Sequence, residues 1–253
     1  MRSVLQKLIQ EPRPFRFLLS RILWKTGLCT AFTIKEQQYK LKFFPSALSA
    51  TLWVDSNYAD NDKAILRQVL RPGDTYVDAG ANIGDLTLFG ANLVGPQGAV
   101  LAIEAHPRTF SYLEQNILLN PELAGRCHTL NYAVGANEGT LNFSNQRSDD
   151  QNRVTEKGIE VPVQKLDKLL RDVPSVRLLK IDVEGFEKFV IKGAQEVLNR
   201  TDYVYFEAYD QHARGYGYQM SDVATLLTAA GFEVPTFDSS TCVNVLASRR
   251  DRR

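Results

Sequence analysis

Several things that would fix the class of this chain at once are scarce or missing. Among 253 residues there are three cysteines, Cys29, Cys127 and Cys242, an odd number, widely spaced and without metal-ligand spacing. They exclude a disulfide framework and read as reduced, mostly structural thiols of a cytoplasmic protein. Excess charge is missing too. Thirty basic residues against 29 acidic ones leave a net charge of +1, which makes no electrostatic case for a nucleic-acid partner. No run of eighteen apolar residues occurs, which argues against a spanning helix. Arginine and glutamate near the start interrupt what a signal peptide needs as an apolar core. Repeats and an interdomain linker are also lacking. What remains, 44% hydrophobic and 23% charged residues, is the composition of an ordinary globular chain with a full core: one α/β domain plus embellishments.

The organising stretch is Tyr76-Val77-Asp78-Ala79-Gly80-Ala81-Asn82-Ile83-Gly84-Asp85-Leu86-Thr87-Leu88. An apolar run of strand type enters a glycine-bracketed turn and leaves with helical period. Gly80 and Gly84 allow the backbone to turn tightly and to approach a ligand, having no Cβ. A dinucleotide fingerprint would place glycines where Asn82 and Asp85 stand, and would bring Asp78 and Asp85 against a pyrophosphate. No Gly-Lys-Ser/Thr follows, so the turn is not a P-loop. An adenosine ligand with a sulfonium and no phosphate suits it better, and that ligand is S-adenosylmethionine. Ala99 to Glu104 reads as the second strand. Glu104 lies about twenty residues beyond the turn, where an acid reaches ribose hydroxyls; its alternative is a strand-end carboxylate in solvent.

Along the chain, Val4 to Trp24 is apolar at helical spacing and broken by Pro12 and Pro14. Arg13, Arg16, Arg21 and Lys25 lie among the apolar residues of its second piece. Core packing with solvated basic residues is the favoured reading, and a membrane-surface or partner-facing helix the other. Ala31 to Val54 alternates around Glu36-Gln37-Gln38 and reads as a β-hairpin. Asp62 to Leu70 is helical, and Arg71 to Asp74 turns into the central strand. A helix from Pro107 to about Asn120 and a third strand from Cys127 to Val134 follow. Gly139 to Phe143 and Ile159 to Gln164 form a small hairpin around a polar loop, Ser144 to Gly158, which carries Asp149, Asp150, Gln151, Asn152 and Arg153 and is long enough to be mobile or functional. Arg177 to Asp182 is the fourth strand, Glu184 to Leu198 a helix, and Tyr203 to Glu207 the fifth strand. Ser221 caps a helix ending at Gly231. Strands at Glu233 to Phe237 and Val243 to Ala247 close the fold before a solvated tail from Arg249 to Arg253. This alternation predicts a doubly wound α/β sheet of seven mostly parallel strands, one antiparallel, with helices on both faces.

Three blocks carry a family resemblance over roughly Asp62 to Tyr209. They are Pro72-Gly73-Asp74 with Val77 to Gly84; Asn131-Tyr132-Ala133-Val134-Gly135; and Val163 to Leu170 with Leu179-Lys180-Ile181-Asp182-Val183-Glu184-Gly185-Phe186-Glu187 and Lys192-Gly193-Ala194. The chain resembles the FkbM-type S-adenosylmethionine-dependent methyltransferases, of the class I Rossmann-like kind. The resemblance implies a cofactor turn at Asp78, Gly80, Asn82, Gly84 and Asp85, Glu104 on the ribose, and Asn131 and Ala133 beside the adenine. It also implies an acceptor side at Asp182 and Glu184, with O-methylation of a sugar or natural-product hydroxyl as the reaction. Residues 1–60 would form an N-terminal extension of helices and a hairpin on the acceptor side. Residues 61–248 would form the methyltransferase domain and 249–253 a basic tail.

In-line methyl transfer depends on alignment, and an alcohol needs a proton acceptor nearby. Asp182, Glu184, Glu207 and His212 fall at or just past the ends of strands four and five. Asp182 is the first choice for that acid or base, its alternative being a helix cap. Glu184 has a structural alternative at a helix start. His212 is the best histidine for a base, His106 flanks the adenosine pocket, and His128 belongs to strand packing or surface. Tyr209, Tyr216 and Tyr218, among Gly215 and Gly217, could wall an acceptor. The reading calls for no metal, although Asp182 and Glu207 offer magnesium-type ligands. Two other classes compete: an NAD(P)-dependent oxidoreductase on a similar fold, and a non-catalytic S-adenosylmethionine-binding scaffold or sensor.

Overall fold

The computed structural model describes residues 12–145, 154, 155 and 157–250. The apolar piece around Val4 to Ile9, Asp149 to Arg153 of the polar loop, and residues 251–253 lie outside them. Helix α1 (Pro14–Thr26) starts on a proline and ends at Gly27, φ 75°. Strands β1 (Thr33–Lys35) and β2 (Lys40–Lys42) form the expected antiparallel hairpin. Beyond it the strand-like alternation misleads, for α2 (Ala47–Val54) is a helix. Its start is set by Ser46, whose hydroxyl accepts the Ser49 N–H at 3.1 Å.

After α3 (Asp60–Val69), the main body runs β3 (Thr75–Ala79), α4 (Asp85–Val94), β4 (Ala99–Ile103), α5 (Pro107–Leu118), α6 (Pro121–Ala124) and β5 (Cys127–Leu130). A small sheet of β6 (Ala133–Val134), β7 (Gly139–Phe143), β8 (Val154–Thr155) and β9 (Ile159–Gln164) interrupts it. The body resumes with α7 (Leu166–Leu169), β10 (Val176–Ile181), α8 (Glu187–Lys192), α9 (Gln195–Asn199), β11 (Thr201–Ala208), α10 (Asp210–Arg214), α11 (Met220–Ala229), β12 (Phe232–Glu233) and β13 (Val243–Arg249).

The main sheet has seven strands in the order β12-β13-β11-β10-β3-β4-β5, and β13 alone runs against its neighbours. The expected sheet is therefore present. Side chains alternate along β3, Tyr76 entering one apolar layer and Val77 and Ala79 the other. Strand order reverses between β3 and β10, the place where open α/β sheets bind ligands.

Five further expectations need correction. The third strand stops at Leu130, and Ala133–Val134 pairs instead with Val163 and Gln164 in the small sheet. The helix read from Glu184 to Leu198 is two helices with a turn before them. Glu184 (φ 54°) and Gly185 (φ 95°) are left-handed, and a Cβ on Gly193 would lie 2.0 Å from the Gly135 carbonyl oxygen. Ser221 lies inside α11, which begins after Gln219. Arg249 belongs to β13 rather than to a tail; its guanidinium lies over Phe232 and donates to the Thr201 carbonyl. Finally, α1 does not bury its apolar face. Leu23 is covered, but Phe15, Leu18, Leu19 and Ile22 are exposed.

Candidate active site

Three left-handed residues shape the turn after β3: Gly80 (φ 83°), Asn82 (φ 50°) and Gly84 (φ 90°). A Cβ on Gly80 would stand 1.8 Å from the Asp182 carbonyl oxygen, so glycine lets the ends of β3 and β10 meet. The turn is tied to the second strand by Gly80 and Ala81, whose N–H groups donate to the Ile103 carbonyl. Glu104 completes the tie. One of its oxygens accepts the Asn82 N–H at 3.0 Å and the other the His106 N–H at 2.9 Å. Its carboxylate is thereby fixed at the rim of the crevice before any ligand arrives.

Asp78 is fully buried, accepts the Thr87 hydroxyl at 2.7 Å and lies 3.2 Å from the Lys180 ammonium. Lys180 sits opposite Asp78 in the β3–β10 register and also reaches Asp182 at 3.4 Å. Burial alone would lower the Lys180 pKa; Asp78 and Asp182 outweigh it and raise it. Asp85 is held by the Tyr39 hydroxyl at 2.6 Å and by Lys63 at 3.3 Å, which joins the N-terminal hairpin to the start of α4. Burial raises the Asp85 pKa against the pull of Lys63. Each aspartate of the turn is thus answered by a lysine, and the charge argument against a pyrophosphate loses most of its force. The missing glycine positions keep theirs.

Two cavities open from this centre and share Gly80, Asn82, Asp182 and Glu184. The first is a slot lined by Glu104, His106, Thr109, Tyr132, Phe143 and Phe186, among others. Ala133 lines it as expected, whereas Asn131 works from behind, its amide donating to the Glu104 and Ala105 carbonyls at 2.8 and 3.0 Å. A slot lined by aromatic, aliphatic and polar side chains, with a fixed carboxylate at its rim, offers ring-sized apolar faces and an acceptor for hydroxyl groups, which suits an adenosine. The second cavity, of about 400 Å³, is lined by Leu48, Thr51, Lys180, Asp182, Glu207 and Cys242, among others.

At its edge three groups converge. His212 Nδ1 lies 3.4 Å from a Glu184 oxygen and 3.7 Å from a Glu207 oxygen. Left-handed Glu184 and strand-end Glu207 bring them together, and a Cβ on Gly185 would press on the His212 backbone at 2.9 Å. The other Glu207 oxygen accepts Cys242 Sγ–H at 3.0 Å. Burial, then the neighbouring Asp182, raises the Glu207 pKa, and burial and Glu207 push the Cys242 thiol up to about 12. Among the described residues, Glu184, Glu207 and His212 can each offer one ligand atom within 4.8 Å of the others, enough to hold a cation.

Sequence reasoning missed Lys180, although it stands inside the quoted motif between two acids. It also missed Tyr132, Phe143 and Phe186 of the slot, and Glu187, which is 2% exposed. Glu187 accepts the Gly185 N–H at 3.1 Å and the Tyr218 hydroxyl at 3.1 Å, strapping the 183–187 turn, and burial raises its pKa to about 7. Tyr218 is therefore a buried strut, not a wall. His128 is exposed on β5, away from both cavities.

The strand order, the glycine turn at the switch point and the paired cavities define a class I Rossmann-like methyltransferase fold. Residues 78–234 match the Methyltransferase FkbM domain, and the chain belongs to that family. It is 29% identical over 171 residues to the hexuronic acid methyltransferase AglP of Haloferax volcanii, covering 66% of each chain. It is 28% identical over 232 residues to the 31-O-demethyl-FK506 methyltransferase FkbM of Streptomyces tacrolimicus, covering 75% of this chain and 86% of the other. A crystal structure of a methyltransferase FkbM from Methylobacillus flagellatus superposes with a TM-score of 0.51 at 14% identity, over 92% of this chain and 59% of the other, and shares the fold.

Proposed function

We propose that the chain moves a methyl group from S-adenosylmethionine to a hydroxyl of a sugar, glycan or small natural product. The observation that carries this is the junction at Gly80, Asn82, Asp182 and Glu184, where a slot rimmed by the fixed Glu104 carboxylate meets a carboxylate-lined cavity. Glu104 would take the ribose hydroxyls, with Ala133 and Phe186 against the adenine. When bound, the cofactor supplies a methyl group on a positively charged sulfur. This chain's residues supply alignment and a place for the proton. Glu207, at the acceptor cavity and with its pKa raised, is the proton acceptor; Asp182 sits at the junction and orients the hydroxyl. His212, behind Glu207 and Glu184, is a positioning residue.

The described part of the N-terminal extension belongs to the acceptor side in this reading, because Ala47, Leu48, Thr51 and Tyr58 line the larger cavity. The names of two relatives, a hexuronic acid methyltransferase and an O-demethyl-FK506 methyltransferase, support a polar hydroxylated acceptor. The thiols of Cys29, Cys127 and Cys242 support a reducing, cytoplasmic setting. A second reading places a divalent cation on Glu184, Glu207 and His212; activity abolished by a chelator and restored by magnesium or manganese would favour it.

The test is incubation with labelled S-adenosylmethionine and panels of uronic acids, glycans and polyketide alcohols. Gain of one methyl group on oxygen supports the proposal. Tight cofactor binding without transfer to any of them would favour the scaffold or sensor instead.

A further inference from the structure

Helix α1 carries more apolar surface than its packing uses. Its inner side, with Ser20 and Leu23 buried, lies on α2. Its outer side shows Phe15 (86% exposed), Leu18, Leu19 and Ile22 (59%), spaced as one helical stripe. Leu28 and Phe32 extend the stripe past Gly27 and are exposed as well. Trp53 of α2 joins the two parts: Arg16 lies over its ring at 5.5 Å and Phe32 meets it edge-on at 5.7 Å. The patch is therefore wider than one helix ridge.

Charge along this segment of the chain is of one sign. Between Glu11 and Glu36 there is no acidic residue, while Arg13, Arg16, Arg21, Lys25 and Lys35 all fall there. Cations flanking exposed phenylalanine, leucine and isoleucine are the pattern of a helix that lies in the headgroup region of an anionic bilayer, its long basic side chains reaching phosphates. The charge disfavours a second copy as occupant, since two cationic faces would meet. Residues 1–11 also carry two cations, Arg2 and Lys7, against Glu11, and their Val4, Leu5, Leu8 and Ile9 repeat the same mixture.

We infer that α1 and the turn after it are a docking surface for an anionic lipid bilayer. The surface stands independently of methyl transfer. It nonetheless bears on the larger cavity, because α2, directly beneath α1, supplies Ala47, Leu48 and Thr51 to its wall. Docking sets that cavity roughly one helix diameter, about 10 Å, from the lipid.

Flotation of the full chain with vesicles of phosphatidylcholine alone, and of phosphatidylcholine mixed with phosphatidylglycerol, tests this. Roughly tenfold more protein should float with the anionic vesicles, and raised salt should reduce the difference. The double variant Phe15→Glu/Ile22→Glu should lose this binding with an unchanged thermal melt, since both side chains already face solvent. Arg21→Glu/Lys25→Glu should weaken it with every exposed apolar side chain of the stripe left in place. Equal flotation with both vesicle types, or with neither, overturns the inference. So does a wild-type dimer that Phe15→Glu/Ile22→Glu dissociates, which would give the face to a second copy. Binding that appears only after deletion of residues 1–11 also overturns it, assigning the face to that segment.

Discussion

Carboxylates of two kinds share this crevice and are treated differently. Asp78 is sealed beneath the turn, with Lys180 and the Thr87 hydroxyl against it. Glu184 and Glu207 face the larger cavity with side chains 31% and 23% exposed, and His212 Nδ1 stands 3.4 and 3.7 Å from them. A buried charge with its counter-charge fixed beside it is a structural member, since removing one partner strands the other. Glu207, half-covered, has its pKa raised by burial and by the neighbouring Asp182, which leaves it able to take up a proton. The crevice thus divides into a part that holds the sheet ends together and a part able to do acid–base chemistry.

Substitutions can break that division. The largest effect belongs to the sealed group: Asp78→Ala leaves buried Lys180 with the Gly80 carbonyl and, as counter-charge, the partly exposed Asp182, and should cost about 3–5 kcal/mol of unfolding free energy in urea. A loss below about 1 kcal/mol would mean that the pair is not structural.

Glu187, strapping the 183–187 turn, should come next. Its folded pKa of about 7 lies above the ordinary 4.5, so the fold favours its protonated form. Its stabilising contribution is full below pH 4.5 and is lost as pH rises through 7, by on the order of 3 kcal/mol. Glu187→Gln, which mimics the protonated carboxyl, should flatten this part of the stability–pH curve. Parallel curves for the two proteins between pH 4.5 and 8 would contradict the assignment.

Glu207→Gln sharpens the contrast. Turnover should fall roughly a hundredfold while unfolding free energy stays within about 0.5 kcal/mol of wild type. A variant equally active, or one that chiefly lost stability, would move Glu207 into the structural group.

The two regions also differed in how far they could be read from sequence. The turn and both its strands were legible because their signals are local: an apolar run, glycines at left-handed positions, an acid at each strand end. The acceptor side was not. Ala47–Val54 alternates like a strand, and only Ser46, whose hydroxyl caps Ser49, marks it as a helix. The 184–198 stretch has helical spacing, and Gly185 and Gly193 were the overlooked signs that tertiary contacts divide it. Lys180 gained its meaning from the β3–β10 register, which sets it opposite Asp78 across a sequence separation no local pattern spans. Tyr132, Phe143 and Phe186 come from three separate segments and meet only because the small sheet folds over the slot.

The most direct test is calorimetric titration of S-adenosylhomocysteine into the wild-type chain and into Glu104→Ala. Two backbone N–H groups fix the Glu104 carboxylate before any ligand binds, and a thermal melt of the variant separates the loss of a ligand contact from loosening of the turn that Glu104 ties down. The account predicts tight binding by the wild type and affinity roughly tenfold or more weaker in the variant. Equal affinities, or no binding by either, would contradict it.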